Sequence, residues 1–207
     1  MAELARALDE LRASEDLTVP RIRKIARALG RNQRLAEALW ESGVPGARVL
    51  ASQVGDPRTI TRATMDRWAG DFDSWWICDA CCYDLFDRTP WAWSKIRKWA
   101  KDDREFVRRA AFATIAAIAV HDKSAPDEVF LNALPLIETY AFDGRNFVRK
   151  GVNWALRNIG KRNASLRPAA LKCAERIRAQ GTSSARWIAA DAIRELRSTA
   201  LAHRKAR

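Results

Sequence analysis

The chain has 207 residues, 48% of them hydrophobic and 30% charged, with a formal net charge of +12. That length and balance suffice for one sizeable core or two small ones and exclude a disordered chain. No apolar run reaches the ~18 residues that would span a membrane, and the opening "MAELARALDELRAS" mixes acidic and basic residues where a secretory leader would carry a cationic stretch followed by an apolar one.

Along the whole chain apolar residues recur at intervals of three and four, and no useful stretch alternates at period two, so the fold class is all-α. Pro20, Gly30, "SGVPG" at 42–46, "GDPRT" at 55–59, Gly70, "RTP" at 88–90, "KSAPD" at 123–127, "FDGRN" at 142–146 and "GTSS" at 181–184 punctuate it. With the usual helix lengths this predicts about eleven or twelve helices joined by short loops. Cys78, Cys81 and Cys82 crowd one helical turn and Cys173 lies far along the chain. That placement suits no mutual disulfide framework and points to a reducing compartment, the cytosol. With no second cysteine pair at finger-like spacing and only His121 and His203, the cysteines read as small core residues, and no metal or cofactor is expected.

The first segment able to carry chemistry is "DSWWICDACCYDLF", residues 73–86. At helical spacing Cys78, Cys81 and Leu85 form a buried seam, and Trp75, Asp79, Cys82 and Phe86 line up on an adjacent face. A carboxylate among apolar groups is costly to desolvate unless it is paired, hydrogen-bonded or turned to a cleft. Pairing Asp79 with Arg109 or another basic side chain is the structural alternative. The functional one is stabilisation of positive charge: cleavage of a glycosidic bond passes through an oxocarbenium-like sugar, which a carboxylate and tryptophan faces both favour. A leaving base that is already cationic needs no general acid.

Further on, the chain repeats itself. "DDREFVRRAA" at 102–111 and "DGRNFVRKGV" at 143–152 match at an offset of 41, with Phe106 on Phe147 and Arg108 on Arg149. A fainter copy, "SARWIAADAIREL", sets Trp187 and Ile188 40 residues after Phe147 and Val148. A period near forty with two helices per unit is the signature of HEAT-type arrays, whose helix pairs bury their apolar faces against neighbouring pairs and present one helix of each repeat on a concave, groove-like side.

In the helix over 145–161, Phe147, Val148, Gly151, Val152, Ala155, Leu156 and Ile159 make the apolar seam, and Lys150, Trp154, Arg157 and Lys161 share another face. Charge gathers in this part of the chain. Residues 1–100 hold 16 Lys/Arg against 14 Asp/Glu, and residues 145–207 hold 16 against 3. Such asymmetry suits a polyanion, with duplex DNA ahead of an anionic membrane surface. Aromatic rings interleaved with cations are what nucleic-acid grooves use, although a merely solvated basic face is the plain alternative. Arg108, Arg149, Lys150, Arg157, Lys161, Arg162, Arg186 and Trp187 are the DNA-binding candidates.

"FDSWWICD", "EFVRRAAFA", "RNFVRKGVNWALRNIGKRN" and "ARWIAADAIREL", in this order and spacing, resemble the bacterial DNA alkylation repair family, the AlkD-like alkylpurine DNA glycosylases built from HEAT-like repeats. The resemblance runs from about residue 38 into the 190s and is faintest over residues 1–35. It implies a monofunctional glycosylase that releases cationic N3- or N7-alkylated purines from double-stranded DNA and leaves an abasic site. A solenoid groove needs no partner subunit, so a monomer in the bacterial cytosol, without a cofactor, is expected. By position the family's catalytic Asp falls on Asp79, its sugar-facing tryptophans on Trp75 and Trp154, and its active-site Arg on Arg109. Trp76 departs from the family's frequent acidic residue. The whole chain, 1–207, reads as one HEAT-like repeat domain. The rivals are a non-catalytic binder of branched or damaged DNA on the same scaffold and a protein-interaction scaffold.

Overall fold

The structure, a computed structural model, describes residues 2–12 and 18–205. Among them it is all-helical. The elements in order are α1 (Ala2–Arg12), α2 (Val19–Leu29), α3 (Gln33–Glu41), α4 (Pro45–Val54), α5 (Arg62–Gly70), α6 (Trp75–Asp84), a 3-10 turn (Phe86–Arg88), α7 (Ala92–Trp99), α8 (Glu105–His121), α9 (Asp127–Leu131), α10 (Leu134–Tyr140), α11 (Asn146–Arg162), α12 (Leu166–Ala179) and α13 (Ser183–Lys205). That is more than the sequence predicts, partly because the chain turns at Asn132 and Ala133 and restarts at a helix with Pro135 in its first turn. No helix among the described residues is long and apolar enough to cross a membrane.

Two compact units divide the chain, residues 1–92 and 93–207. In the first, α4 packs against α2, α3 and α6. Its run of small and branched side chains, Ala47, Val49, Leu50, Ala51 and Val54, is wholly buried, which lets neighbours close in from several sides. Helix starts follow local chemistry. Asn32 accepts from the Leu35 amide at 3.0 Å and Thr61 from the Thr64 amide at 3.0 Å, each satisfying an orphan donor of a first turn. An aromatic cluster fills the rest of this unit's core. Trp40 and Trp68 stack at 4.3 Å and 4°, with Phe72 and Phe86 packed on them, and Trp40 Nε1 donates to Asp71 at 2.8 Å.

The second unit is the repeated one, and its period is visible as contact. α8 packs on α11, α11 on α13, and α12 on both α11 and α13. Phe106 and Phe147, equivalent residues 41 positions apart, touch ring to ring at 5.1 Å. Hydrogen bonds bridge the same interval. The Phe147 amide donates to Glu105 Oε1 at 2.9 Å, Asn158 Nδ2 to the Ala116 carbonyl at 3.3 Å, Ser184 Oγ to the Asp143 carbonyl at 2.8 Å, and Asn153 Nδ2 to Asp191 at 2.7 Å. The repeat is therefore HEAT-like in substance: equivalent positions of successive helix pairs meet and satisfy each other's polar groups. Gly151 of α11 packs on α8, where a Cβ would meet Arg109 and Phe112 at 3.5 Å, an ordinary contact distance. Cys78, Cys81, Cys82 and Cys173 are all buried thiols outside any disulfide, and burial pushes the Cys173 thiol up to about 12.

Candidate functional site

In the first unit Trp75 opens α6 and stands 51% exposed, an unusual cost for so large an apolar side chain. Asp79 lies one turn further on, half-buried, on the same face. Ser74, extended at the N-cap position, ends the preceding turn and sets the helix so that Ile77, Cys78, Cys81 and Cys82 enter the core. The face proposed from sequence is shorter than expected. Cys82 is buried, and Phe86 has left the helix altogether: Leu85, at φ −140° and ψ −58°, breaks α6 and turns Phe86 into the aromatic cluster. What remains toward solvent is Trp75 followed by Asp79.

In the second unit α11 carries the row Lys150, Trp154, Arg157 and Lys161. Lys150 and Lys161 are exposed, Trp154 and Arg157 half-buried. The apolar seam is as expected, except that Phe147 is only half-buried and Asn153, Asn158 and Gly160 join the buried set. Two of the three cations meet carboxylates from α13. Arg157 pairs with Asp191 at 3.3 Å and with Glu195, and Lys161 reaches Glu195 at 2.7 Å. Burial alone would lift the Glu195 carboxyl, but its hydrogen bond from Lys161 and the charge of Arg157 hold it below its ordinary range. Sequence reasoning missed Asp191 and Glu195. The signal was present, since each lies 38 residues after a polar residue of α11, Asn153 and Arg157.

The remaining candidates separate by what their guanidiniums touch. Arg109 is buried and donates to the Phe147 carbonyl at 2.7 Å, tying α8 to the start of α11. Arg108 donates to Asp143 at 2.8 Å, to Asp103 at 3.1 Å and to the Ala100 carbonyl at 3.1 Å, and lies over Tyr140. Asp143 also accepts from Arg145 at 2.6 Å; burial would raise its carboxyl, but these hydrogen bonds bring it to about 2. Arg162 donates to the carbonyls of Ala119 and Ala125 and covers Phe130. Arg108 and Arg162 thus have internal partners that hold the repeats together. Arg149 stacks at 5.0 Å on Trp187, itself 38% exposed, and Arg186 is exposed one residue before it. Among the described residues no group of three His, Cys, Asp or Glu side chains is placed to hold a metal ion.

Comparison with known proteins decides the family. The model of the DNA alkylation repair enzyme family matches residues 2–196. The chain belongs to that family. Membership extends over the N-terminal part, where the resemblance in sequence is faintest, and places the protein's work on DNA. A solved structure described as "a new family of proteins related to the HEAT-like repeat DNA glycosylases with affinity for branched DNA structures" is similar at a TM-score of 0.67, with 17% identity, over 85% of this chain and 77% of that one. At that identity the likeness speaks for the fold, a HEAT-like helical repeat, as the sequence period predicts. A designed armadillo repeat protein in complex with the peptide (KR)4 is 16% identical over 96% of this chain and 88% of that one, at a TM-score of 0.39. No curated protein matches.

Proposed function

We propose that the protein is a monofunctional DNA glycosylase that releases N3- or N7-alkylated purines from duplex DNA. The observation that carries this reading is Trp75 held half in solvent at the head of α6 with the half-buried Asp79 one turn behind it. A core packing role explains neither the exposure of the ring nor the carboxylate beside it. In this reading the cationic base leaves without a general acid, the carboxylate of Asp79 stabilises the oxocarbenium that develops on the deoxyribose, and the Trp75 face adds its quadrupole to the same charge. Water then adds at the anomeric carbon, giving up its proton toward Asp79, and an abasic site remains. On the second unit, Trp154 is assigned to the sugar, and Arg109, through its hold on α11, to positioning. Lys150, Arg149 with Trp187, and Arg186 are the cations and ring assigned to the DNA backbone, with Arg157 and Lys161 beside them.

Single-turnover release of 7-methylguanine from a defined duplex tests the proposal. Wild type should release the base, and Asp79→Asn should lose at least about 100-fold in rate while keeping its affinity for DNA. Equal rates in the two proteins would remove Asp79 from the chemistry. A second reading, a non-catalytic binder of branched DNA, takes support from the solved structure whose description names that affinity. It expects no base release and tighter binding to a four-way junction than to a linear duplex of equal length.

A further inference from the structure

The excess of positive charge lies in the second half of the chain, yet a cavity lined by four arginines lies in the near-neutral first half. A cleft of about 310 Å³ is lined by Arg23, Arg27, Arg31 and Arg88, with Gln53 and Asp84 on its far side. Arg23 and Arg27 lie one turn apart on one face of α2, and Arg31, past the helix end at Gly30, joins them at the cleft. The C-terminal ends of α2, α4 and α6 converge here. Arg31 donates to the Gly55 carbonyl at 2.5 Å, just past α4, and Arg88 to the Tyr83 carbonyl at 3.3 Å, near the end of α6. Those two bonds explain why Arg31 and Arg88 are held in place, as cations are favoured at helix C-termini. They do not explain Arg23 and Arg27, whose side chains are exposed along the cleft wall.

Carboxylates do not balance the cluster. Asp84 stands 3.9 Å from Arg23 and accepts from Gln53 at 3.3 Å, the buried Asp87 lies 3.6 Å from Arg88, and Asp56, which attracts Arg31, is bonded by Arg58. Four arginines face the cleft against one lining carboxylate. Burial lowers the pKa of Arg31, the Arg88 guanidinium adds to that lowering, and Asp56, Asp84 and Asp87 act against it. An anion in the cleft would be met by several guanidiniums, whose planar, paired donors match tetrahedral oxyanions.

We propose that this cleft binds a phosphate group, gripped by Arg23 and Arg27 from α2 and by Arg31 and Arg88 from the ends of the neighbouring elements. The site lies within the first unit and does not depend on the glycosylase reading. Its phosphate is either a phosphodiester of a nucleic-acid backbone or that of a free phosphorylated molecule.

The test uses the full chain, the variant Arg23→Ala/Arg27→Ala, and the control Arg21→Ala/Lys24→Ala, which removes the same charge from another face of α2. Arg31 and Arg88 are left alone because they also hold helix ends. Thermal unfolding is followed with pyrophosphate against sodium chloride at matched ionic strength. Pyrophosphate at ten times its Kd should raise the wild-type Tm by about 3–6 °C, leave the control equally responsive, and have no specific effect on Arg23→Ala/Arg27→Ala. The same proteins are titrated with an undamaged duplex across a salt series. A salt slope reduced by about one to two in Arg23→Ala/Arg27→Ala alone assigns the phosphate to a nucleic-acid backbone; an unchanged slope with the pyrophosphate response lost assigns it to a free ligand. If neither the pyrophosphate response nor the duplex slope distinguishes Arg23→Ala/Arg27→Ala from the control, the proposal is overturned. A wild type that binds no duplex would count against the function proposed above and leave the pyrophosphate arm to decide the cleft.

Discussion

The two units reach stability by different routes. Residues 1–92 are held by a non-repeating aromatic cluster, in which Trp40 and Trp68 stack at 4.3 Å. Residues 93–207 have the alanine-rich α8 packed on α11, and polar side chains bridge from one repeat to the next at intervals of 38 to 43 residues. The first unit concentrates its packing in a few large side chains; the second distributes it over many small ones and adds hydrogen bonds. The distribution of charge shows the same contrast. The basic second unit engages many of its cations internally, as Arg108, Arg157 and Arg162 show, whereas the first unit, with little net charge, gathers four arginines round one cleft. Net charge therefore does not locate the cations that gather round a cavity.

Each unit is most vulnerable where its route to stability is most concentrated. Trp68→Ala should cost the first unit about 3–5 kcal/mol, because a fully buried ring and its stacking partner are lost together, and urea unfolding should show it. In the second unit the largest single effect should come from Asp143→Asn, which removes the carboxylate shared by Arg108 and Arg145. The Asp143 carboxyl sits at about 2 against an ordinary 3.8, so its contribution is present above about pH 4 and is lost as pH falls toward 2. That difference corresponds to about 2 kcal/mol. Asp143→Asn should be destabilised by about that much at neutral pH, with a correspondingly flatter acid limb in a pH series of urea midpoints.

Two glycines of α11 sharpen the comparison at smaller magnitude and with opposite signs. A Cβ on Gly160 would come within 2.7 Å of both Leu196 methyl groups and 3.0 Å of Ala170, so Gly160→Ala should destabilise by about 1–2 kcal/mol, after its helix propensity gain, by overpacking α11 against α13. At Gly151 the nearest atoms are at 3.5 Å, ordinary contact, and Gly151→Ala should stabilise by about 0.5–1 kcal/mol. Thermal unfolding of the two variants beside wild type reads both signs.

The repeat was legible in the sequence because the array places equivalent residues against each other, so the match of Phe106 with Phe147 is also a contact. The helical seam of α11 was legible for the ordinary reason of period. Less visible was the end of α6: no glycine or proline marks Leu85, and the helix stops there because Phe86 is drawn into a cluster built from residues of α3, α5 and the chain between α5 and α6. Within the candidate site, Trp75 and Asp79 stand on one face as their spacing implies. The partners of Arg157 and Lys161 were hidden because they come from α13, and the offset that brings them together is a property of repeat stacking, not of either helix. The grouping of Arg23 and Arg27 with Arg31 and Arg88 was hidden, because it depends on where three helices end.

The bonds that join one repeat to the next carry a further consequence. Arg108, Glu105 and Arg109 extend forward to Asp143, the Phe147 amide and the Phe147 carbonyl, and Arg145 reaches back to the Asp103 carbonyl. Residues 102–142 begin with the same Asp, Arg and Phe that receive those contacts at 143–147. The segment's leading edge is thus complementary to its own trailing edge, as in a tile that fits its copy, so a second copy inserted after residue 142 would meet matching polar groups at both seams. These leading-edge contacts define a length increment, and growth by whole increments would repeat them at each join.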